Sequence, residues 1–163
     1  MEKNEPISKI DDKINVLYVD DEVENLHAFK AVFRREFNVF TAASAKEGKK
    51  IIQESQIEVL LTDQRMPDTT GVEFLASIIE EFPDCMRILV TGYSDLNAVI
   101  AAINLGQVYR YVPKPWNNED LKILIHQAYE VYRLRKENKE LTATLIRVNQ
   151  QLEFMLRQKL SSL

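Results

Sequence analysis

Cysteine is nearly absent from this chain: Cys85 stands alone among 163 residues. An internal disulfide is thereby excluded, and a reducing compartment, the cytoplasm, is the expected location. Histidine is almost as scarce, and His27 and His126 are too few and too far apart to suggest a zinc site. With only 4 glycines and 5 prolines, each one is an informative break in a regular chain. No apolar run approaches a membrane span, and the polar opening, residues 1–12, lacks the apolar centre of a signal peptide. Basic charge is not in excess either. The net charge is −4, acidic residues outnumber basic ones up to Asn117, and only the tail beyond is slightly basic. Direct nucleic-acid binding is therefore disfavoured.

The chain instead holds 45% hydrophobic residues, enough for one globular domain and a small appendage. They fall in short runs that each close on a polar residue. Ile14 to Val19 ends at Asp20-Asp21, Ile57 to Thr62 at Asp63, Arg87 to Val90 at Thr91, and Val108 to Pro113 at Lys114. Runs of that length, rich in Val, Ile and Tyr, predict buried strands, and Phe37 to Thr41 adds another. Between them the spacing is helical. Leu26, Phe29, Ala31, Val32 and Phe33 mark a helix over 24–36, and Ser44 is placed to cap one that runs to Glu54. Phe74, Leu75, Ile78 and Ile79 mark a third, stopped by Pro83. Ser94 is placed to cap a fourth over 95–105, ended by Gly106. Five strands alternating with helices predict an α/β doubly wound parallel sheet.

The last helix, starting at Asn117 or Asn118, meets no proline or glycine before the terminus. Leu121, Leu124, Ile125, Ala128 and Tyr132 form a stripe suited to packing on the sheet. From Val131 a heptad seam takes over, with Val131, Asn138, Leu145 and Leu152 alternating with Leu134, Leu141, Val148 and Met155. Asn at a core position favours a parallel, in-register homodimer, and Glu130 and Arg135 are spaced to pair between chains. A lone solvated helix or a disordered end is the plainer alternative, but without a partner those leucines would stay exposed on one side. The expected organisation is a polar segment over 1–12, a globular domain over 13–132 and a coiled-coil extension over 133–163.

In a parallel sheet the carboxyl ends of the strands share one edge, where open α/β folds place their ligands. Asp20, Asp21 and Asp63 would repel one another there unless a divalent cation joins them, and oxygen donors of this kind suit Mg²⁺. Taken singly each residue has a bland reading. The acidic pair could cap the first helix, Thr91 could be a strand residue, Lys114 a solvated lysine, and Tyr109 or Tyr111 plain strand aromatics. Their joint placement at strand ends favours a site.

The acidic pair, Leu-Leu-Thr-Asp-Gln-Arg-Met-Pro around Asp63, Val-Thr-Gly-Tyr around Thr91, and Tyr-Arg-Tyr-Val-Pro-Lys-Pro-Trp over 109–116 occur in that order. Over about Lys13 to Tyr132 they resemble response regulator receiver domains of two-component signal transduction. The resemblance implies a flavodoxin-like sheet of order 2-1-3-4-5 and a phosphorylation switch that catalyses only its own phosphorylation and dephosphorylation. It makes Asp63 the phosphoacceptor. It has Asp21, Asp63 and the backbone carbonyl of Arg65 ligate Mg²⁺, with Asp20 holding a metal-bound water. It has Thr91 and Lys114 bind phosphoryl oxygens, Tyr111 act as an aromatic switch, and the Lys114–Pro115 bond be cis. A sensor histidine kinase or phosphotransfer protein is the implied partner. Arg65 and Tyr93 are bulkier than many of their counterparts in the family.

Two other readings stay open. A phosphatase with an aspartate nucleophile usually carries a second Asp two residues on, where this chain has Arg65. A scaffold that dimerises without phosphorylation would need only the fold. A nucleotide or flavin binder would want a Gly-rich or hydroxyl-rich loop after the first strand, where Asp20-Asp21-Glu22 stand instead. No output module is legible after the last helix, so the coiled coil meets a partner itself or the chain is a piece of a longer regulator.

Overall fold

The apolar runs that end at Asp20, Asp63 and Thr91 fold as central strands buried on both faces, which continuous apolar sequence requires, whereas Asn38–Ala42 and Arg110–Pro113 form the more exposed edges. A computed structural model describes residues 13–163, apart from the side chain of Tyr93; the polar segment 1–12 lies outside the described residues. The elements are β1 (Asn15–Val19), α1 (Val23–Phe33), β2 (Asn38–Ala42), α2 (Ala45–Glu54), β3 (Val59–Asp63), α3 (Gly71–Ile78), β4 (Met86–Thr91), a 3₁₀ turn (Tyr93–Asp95), α4 (Leu96–Asn104), β5 (Arg110–Pro113) and α5 (Asn118–Ser161). All strands run parallel in the order β2-β1-β3-β4-β5, the expected doubly wound arrangement.

Strand alternation sends side chains to two cores. Val16, Tyr18, Val59, Leu61, Ile88 and Val90 pack under α1 and α5 against Phe29, Phe33, Leu121 and Ile125. Leu17, Val19, Leu60 and Leu89 pack under α2, α3 and α4 against Ile52, Phe74, Leu75, Ile78 and Val99. Register then levels the strand ends. Val19 pairs with Thr62, Asp63 with Val90, and Thr91 with Pro113, so the residues after β1 and β5 emerge beside Asp63 and Thr91.

Several boundaries differ from those read in the sequence. Helix α1 ends at Phe33 because the chain turns so that Phe37 can enter the core; Ala31 and Val32 lie outside the Leu26–Phe29–Phe33 stripe and are exposed. Strand β2 consequently starts at Asn38. Ser44 caps α2 as expected, its side chain accepting from Glu47 N at 3.1 Å. Pro83 does not stop α3, which already ends at Ile78. Ser94 does not cap α4. It lies in the preceding 3₁₀ turn, its Oγ accepts from Arg65 Nη2 at 2.8 Å, and the N-cap position is Asp95. Asp95 caps nothing with its own carboxylate because Arg65 Nε holds it at 3.0 Å. Gly106, at φ 71°, provides the left-handed turn after α4 that favours glycine.

Helix α5 is 44 residues long, and Asn117 caps it by accepting from Glu119 N and Asp120 N. Its buried positions are Leu121, Ile125, Ala128 and Tyr132. Beyond Tyr132 every residue is exposed, yet two side chains still reach back to the start of β4: Arg135 Nη1 donates to Met86 Sδ at 3.8 Å and Lys139 pairs with Asp84. Within one chain Glu130 is engaged by Arg133, three residues along the same helix, and not by Arg135. The expected Glu130–Arg135 pairing between chains would have to share Glu130 with Arg133 and Arg135 with Met86. Among the described residues no helix is long and apolar enough to cross a membrane.

Candidate functional site

Four strand ends bring Asp20, Asp21, Asp63, Thr91 and Lys114 to one edge of the sheet. Carboxylate oxygens of Asp20, Asp21 and Asp63 lie within 4.8 Å of one another, graded from fully buried Asp20 through half-buried Asp63 to exposed Asp21. Lys114 Nζ sits 3.2 Å from Asp63 Oδ1 and 3.4 Å from Asp20 Oδ2. Its amide donates to Thr91 O at 2.9 Å, and the Lys114–Pro115 bond is cis, as the resemblance implies.

The electrostatics follow from the crowding. Burial lifts the Asp63 carboxyl above its ordinary value; Lys114 opposes that rise and Asp20 adds to it. Burial pulls the Lys114 ammonium down, but Asp63 and Asp20 outweigh it and hold the group above its ordinary value. Two half-cancelled charges facing a third carboxylate make a site short of positive charge. A small divalent cation could supply it, and three carboxylates within reach of one point are the oxygen set such a cation takes.

The remaining expected residues fall around this cluster. Thr91 is buried, its hydroxyl donating to Gly92 O at 3.1 Å. Tyr111, on edge strand β5, points outward and is 41% exposed. Arg65 follows β3 with its guanidinium turned away from the carboxylates toward Asp95 and Ser94. That side chain stands where a phosphatase would carry its second aspartate. Helix capping by the acidic pair is not what holds Asp20: the N-cap of α1 is Glu22, and Asp20 Oδ1 accepts that residue's own amide at 2.9 Å. Trp116 packs beneath the site against Tyr18 and Phe29, and its Nε1 donates to Asn118 Oδ1 at 3.2 Å. His27 is exposed; His126 pairs with Glu36 at 2.8 Å, away from the site. Cys85 is buried with its thiol pushed up to about 12 by burial, which makes it inert.

Five supporting residues were not singled out in the sequence. Tyr18 and Asn25 both donate to Asp20 Oδ2, at 2.7 and 3.1 Å. The Gln64 amide donates to Asp63 Oδ1 at 2.9 Å, and its side-chain Oε1 accepts from Val72 N at 3.0 Å, fixing the loop after β3 to α3. Gly71 opens α3 directly against the Asp63 backbone. Thr70 caps that helix in a capping box with Glu73, a T-x-x-E signature that is legible beforehand.

Comparison with known proteins adds a family to this geometry. A model of the response regulator receiver domain matches residues 16–126. Hydrogenase transcriptional regulatory protein HoxA of Bradyrhizobium diazoefficiens is 37% identical over 122 residues, 75% of this chain and 25% of that protein. Its namesake from Cupriavidus necator is 36% identical over 152 residues, 93% of this chain and 32% of that protein. This chain thus spans a quarter to a third of those curated relatives' length. The crystal structure of a response regulator receiver domain protein from Clostridium thermocellum superposes with a TM-score of 0.71 at 33% identity, covering 74% of this chain and 98% of that one. The chain belongs to the response regulator receiver domain family of two-component signalling.

Proposed function

We propose that this chain is a phosphorylation switch in which Asp63 accepts a phosphoryl group from the phosphohistidine of a sensor kinase or phosphotransfer protein. The observation that carries this reading is the convergence of Lys114 on Asp63 at 3.2 Å beside two further carboxylates. Asp21 and Asp63, with the carbonyl of Arg65, would hold Mg²⁺, and Asp20 a water in its shell. The ion supplies charge neutralisation for the incoming phosphoryl oxygens. A carboxylate oxygen of Asp63 attacks phosphorus in line. The bond from phosphorus to the donor nitrogen or oxygen breaks, and the leaving group departs with that electron pair. The product is an acyl phosphate on Asp63. Lys114 moves its ammonium onto the new phosphoryl oxygens, for which a point charge on a flexible stem is suited. The Thr91 hydroxyl leaves Gly92 O for another of those oxygens, and Tyr111 turns inward into the space vacated. Turnover of a separate substrate is not part of this reading.

Acetyl phosphate with Mg²⁺ should add one phosphoryl group, visible by intact mass and removed by hydroxylamine, while the same mixture with EDTA should add none. Uptake unaffected by EDTA would sink the metal assignment, and no uptake at all would favour the scaffold reading.

The second part of the proposal concerns residues 133–163, read as a coiled-coil extension of a receiver over 13–132. At about 100° per residue, Val131, Leu134, Asn138 and Leu141 lie roughly 120° around α5 from Ala128 and Tyr132. A partner helix can therefore follow the seam without displacing α5 from the sheet. Leu134, Leu141, Leu145 and Leu152 are 52%, 63%, 61% and 57% exposed in the single chain, which supports a parallel homodimer as their cover. Truncation after Tyr132 should yield a monomer that still takes up phosphate, and Asn138→Leu should raise the thermal midpoint while mixing oligomer numbers. A full chain that sediments as a monomer at tens of micromolar, phosphorylated or not, would rule the dimer out.

A further inference from the structure

We propose that the Tyr18 hydroxyl is a positioning group for the metal site, turning one oxygen of Asp20 inward so that Asp20 serves the cation and its water shell through Oδ1 alone. The inference rests on reading the carboxylate cluster as a Mg²⁺ site. Tyr18 is fully buried in β1, its ring 4.7 Å from Phe29 and 6.0 Å from Trp116. Phenylalanine would fill that core equally well, since a hydroxyl buried there costs free energy unless it is bonded. Tyr18 lies near the end of β1 and Asp20 just beyond the strand, two residues on, and the Tyr18 hydroxyl donates to Asp20 Oδ2 at 2.7 Å.

The two oxygens of Asp20 are loaded unequally. Oδ2 accepts from Tyr18, from Asn25 Nδ2 at 3.1 Å and from Lys114 Nζ at 3.4 Å. Oδ1 accepts from Glu22 N at 2.9 Å. A carboxylate offers about four acceptor positions over its two oxygens, so Oδ2 is saturated and Oδ1 retains capacity. Of the three donors on Oδ2, Lys114 is the one whose ammonium must leave when a phosphoryl group arrives. Tyr18 and Asn25 are neutral. They hold the carboxylate through that exchange without adding positive charge that would repel the cation. Tyr18 is the shortest of the three bonds and the one anchored in the core.

The test is Tyr18→Phe in the full chain, with Mg²⁺ affinity measured by calorimetry. The dissociation constant should rise about 10- to 100-fold, the effect of losing a hydrogen bond to a charged group behind a metal site. Phosphoryl uptake should return to within about twofold of the unaltered rate at saturating Mg²⁺, so the change lies in the metal requirement and not in the maximal rate. In an Asp20→Asn background the same substitution should have no further effect on Mg²⁺ affinity, because the hydroxyl acts through that carboxylate. Unchanged affinity in Tyr18→Phe, beside normal Mg²⁺ binding by the unaltered chain, would overturn the inference alone. A Tyr18→Phe chain unable to fold would assign the hydroxyl to the fold and overturn it too. Failure of the unaltered chain to bind Mg²⁺ would overturn the metal reading and this inference with it.

Discussion

Asp63→Asn should abolish phosphoryl uptake and, in the metal-free protein at neutral pH, raise the thermal midpoint. An amide cannot replace the attacking carboxylate, so uptake should fall at least ~10³-fold, within the range for loss of an essential nucleophile. The stability gain has a separate cause. The folded carboxyl of Asp63 lies above its ordinary value, chiefly through burial. Relative to the unfolded chain, the group contributes stability in acid, below its unfolded pKa, that is lost as pH rises through the folded pKa. At pH 7 the charged Asp63 therefore works against the fold, beside two carboxylates within 4.8 Å. The substitution removes that charge and leaves Lys114 its contact with Asp20 Oδ2 at 3.4 Å. A gain on the order of 1 kcal/mol, a few degrees in a chain of this size, is expected at pH 7. It should shrink as pH falls toward 4. Saturating Mg²⁺ should narrow or reverse it, since the ion stabilises only the form that binds it. Undiminished labelling would show that another residue is the acceptor, and an equal gain over the unaltered protein at pH 7 and pH 4 would refute the charge argument.

The sheet and the site were legible at different depths. Each strand announced itself by a short apolar run ending in a polar residue, and parallel pairing then forced Asp20, Asp63, Thr91 and Lys114 to one edge. That inference needs no side-chain detail, and register bears it out. The geometry between side chains was not accessible in the same way. Tyr18 reads as one more strand aromatic because its ring is one; only its hydroxyl distance to Asp20 gives it a role. Ser94 read as a cap because serine commonly is one, but a guanidinium arriving from Arg65, about thirty residues earlier, took both Ser94 and Asp95. The seam of α5 was legible as a period, whereas the return of Arg135 and Lys139 to Met86 and Asp84 depended on where β4 begins in space. Local rules failed where a distant charged side chain competed for the same atoms.

Gly71→Ala should be the most damaging small substitution in the chain. The loop after β3 returns so tightly that the Gly71 amide donates to Gln64 O at 2.9 Å. A Cβ at this position would lie 2.4 Å from the Asp63 carbonyl oxygen and 2.7 Å from Leu89 Cδ1. Leu89 could rotate in principle, but it is fully buried, and the nearer obstacle is backbone, which no rotamer moves. Either α3 lifts off the sheet or the end of β3 shifts, and the second carries the Asp63 carboxylate away from Lys114. Overpacking of this kind costs about 1–3 kcal/mol, and with backbone as the obstacle the midpoint should drop by roughly 6–10 °C. Phosphoryl uptake by the remaining folded protein should fall more than about 10-fold, since a displacement near 1 Å is enough to spoil an in-line geometry. Gly48→Ala should be milder, because its nearest obstacle is the Val19 side chain at 2.9 Å. Gly92→Ala is the control. Its φ of −87° suits any residue, nothing lies within 4 Å of the added carbon, and the midpoint should stay within about 0.5 kcal/mol of the unaltered protein. Thermal melts and labelling of the three variants together decide the matter: a Gly71→Ala chain that melts and phosphorylates like Gly92→Ala would mean that the close approach of α3 to Asp63 does not hold the acceptor in place.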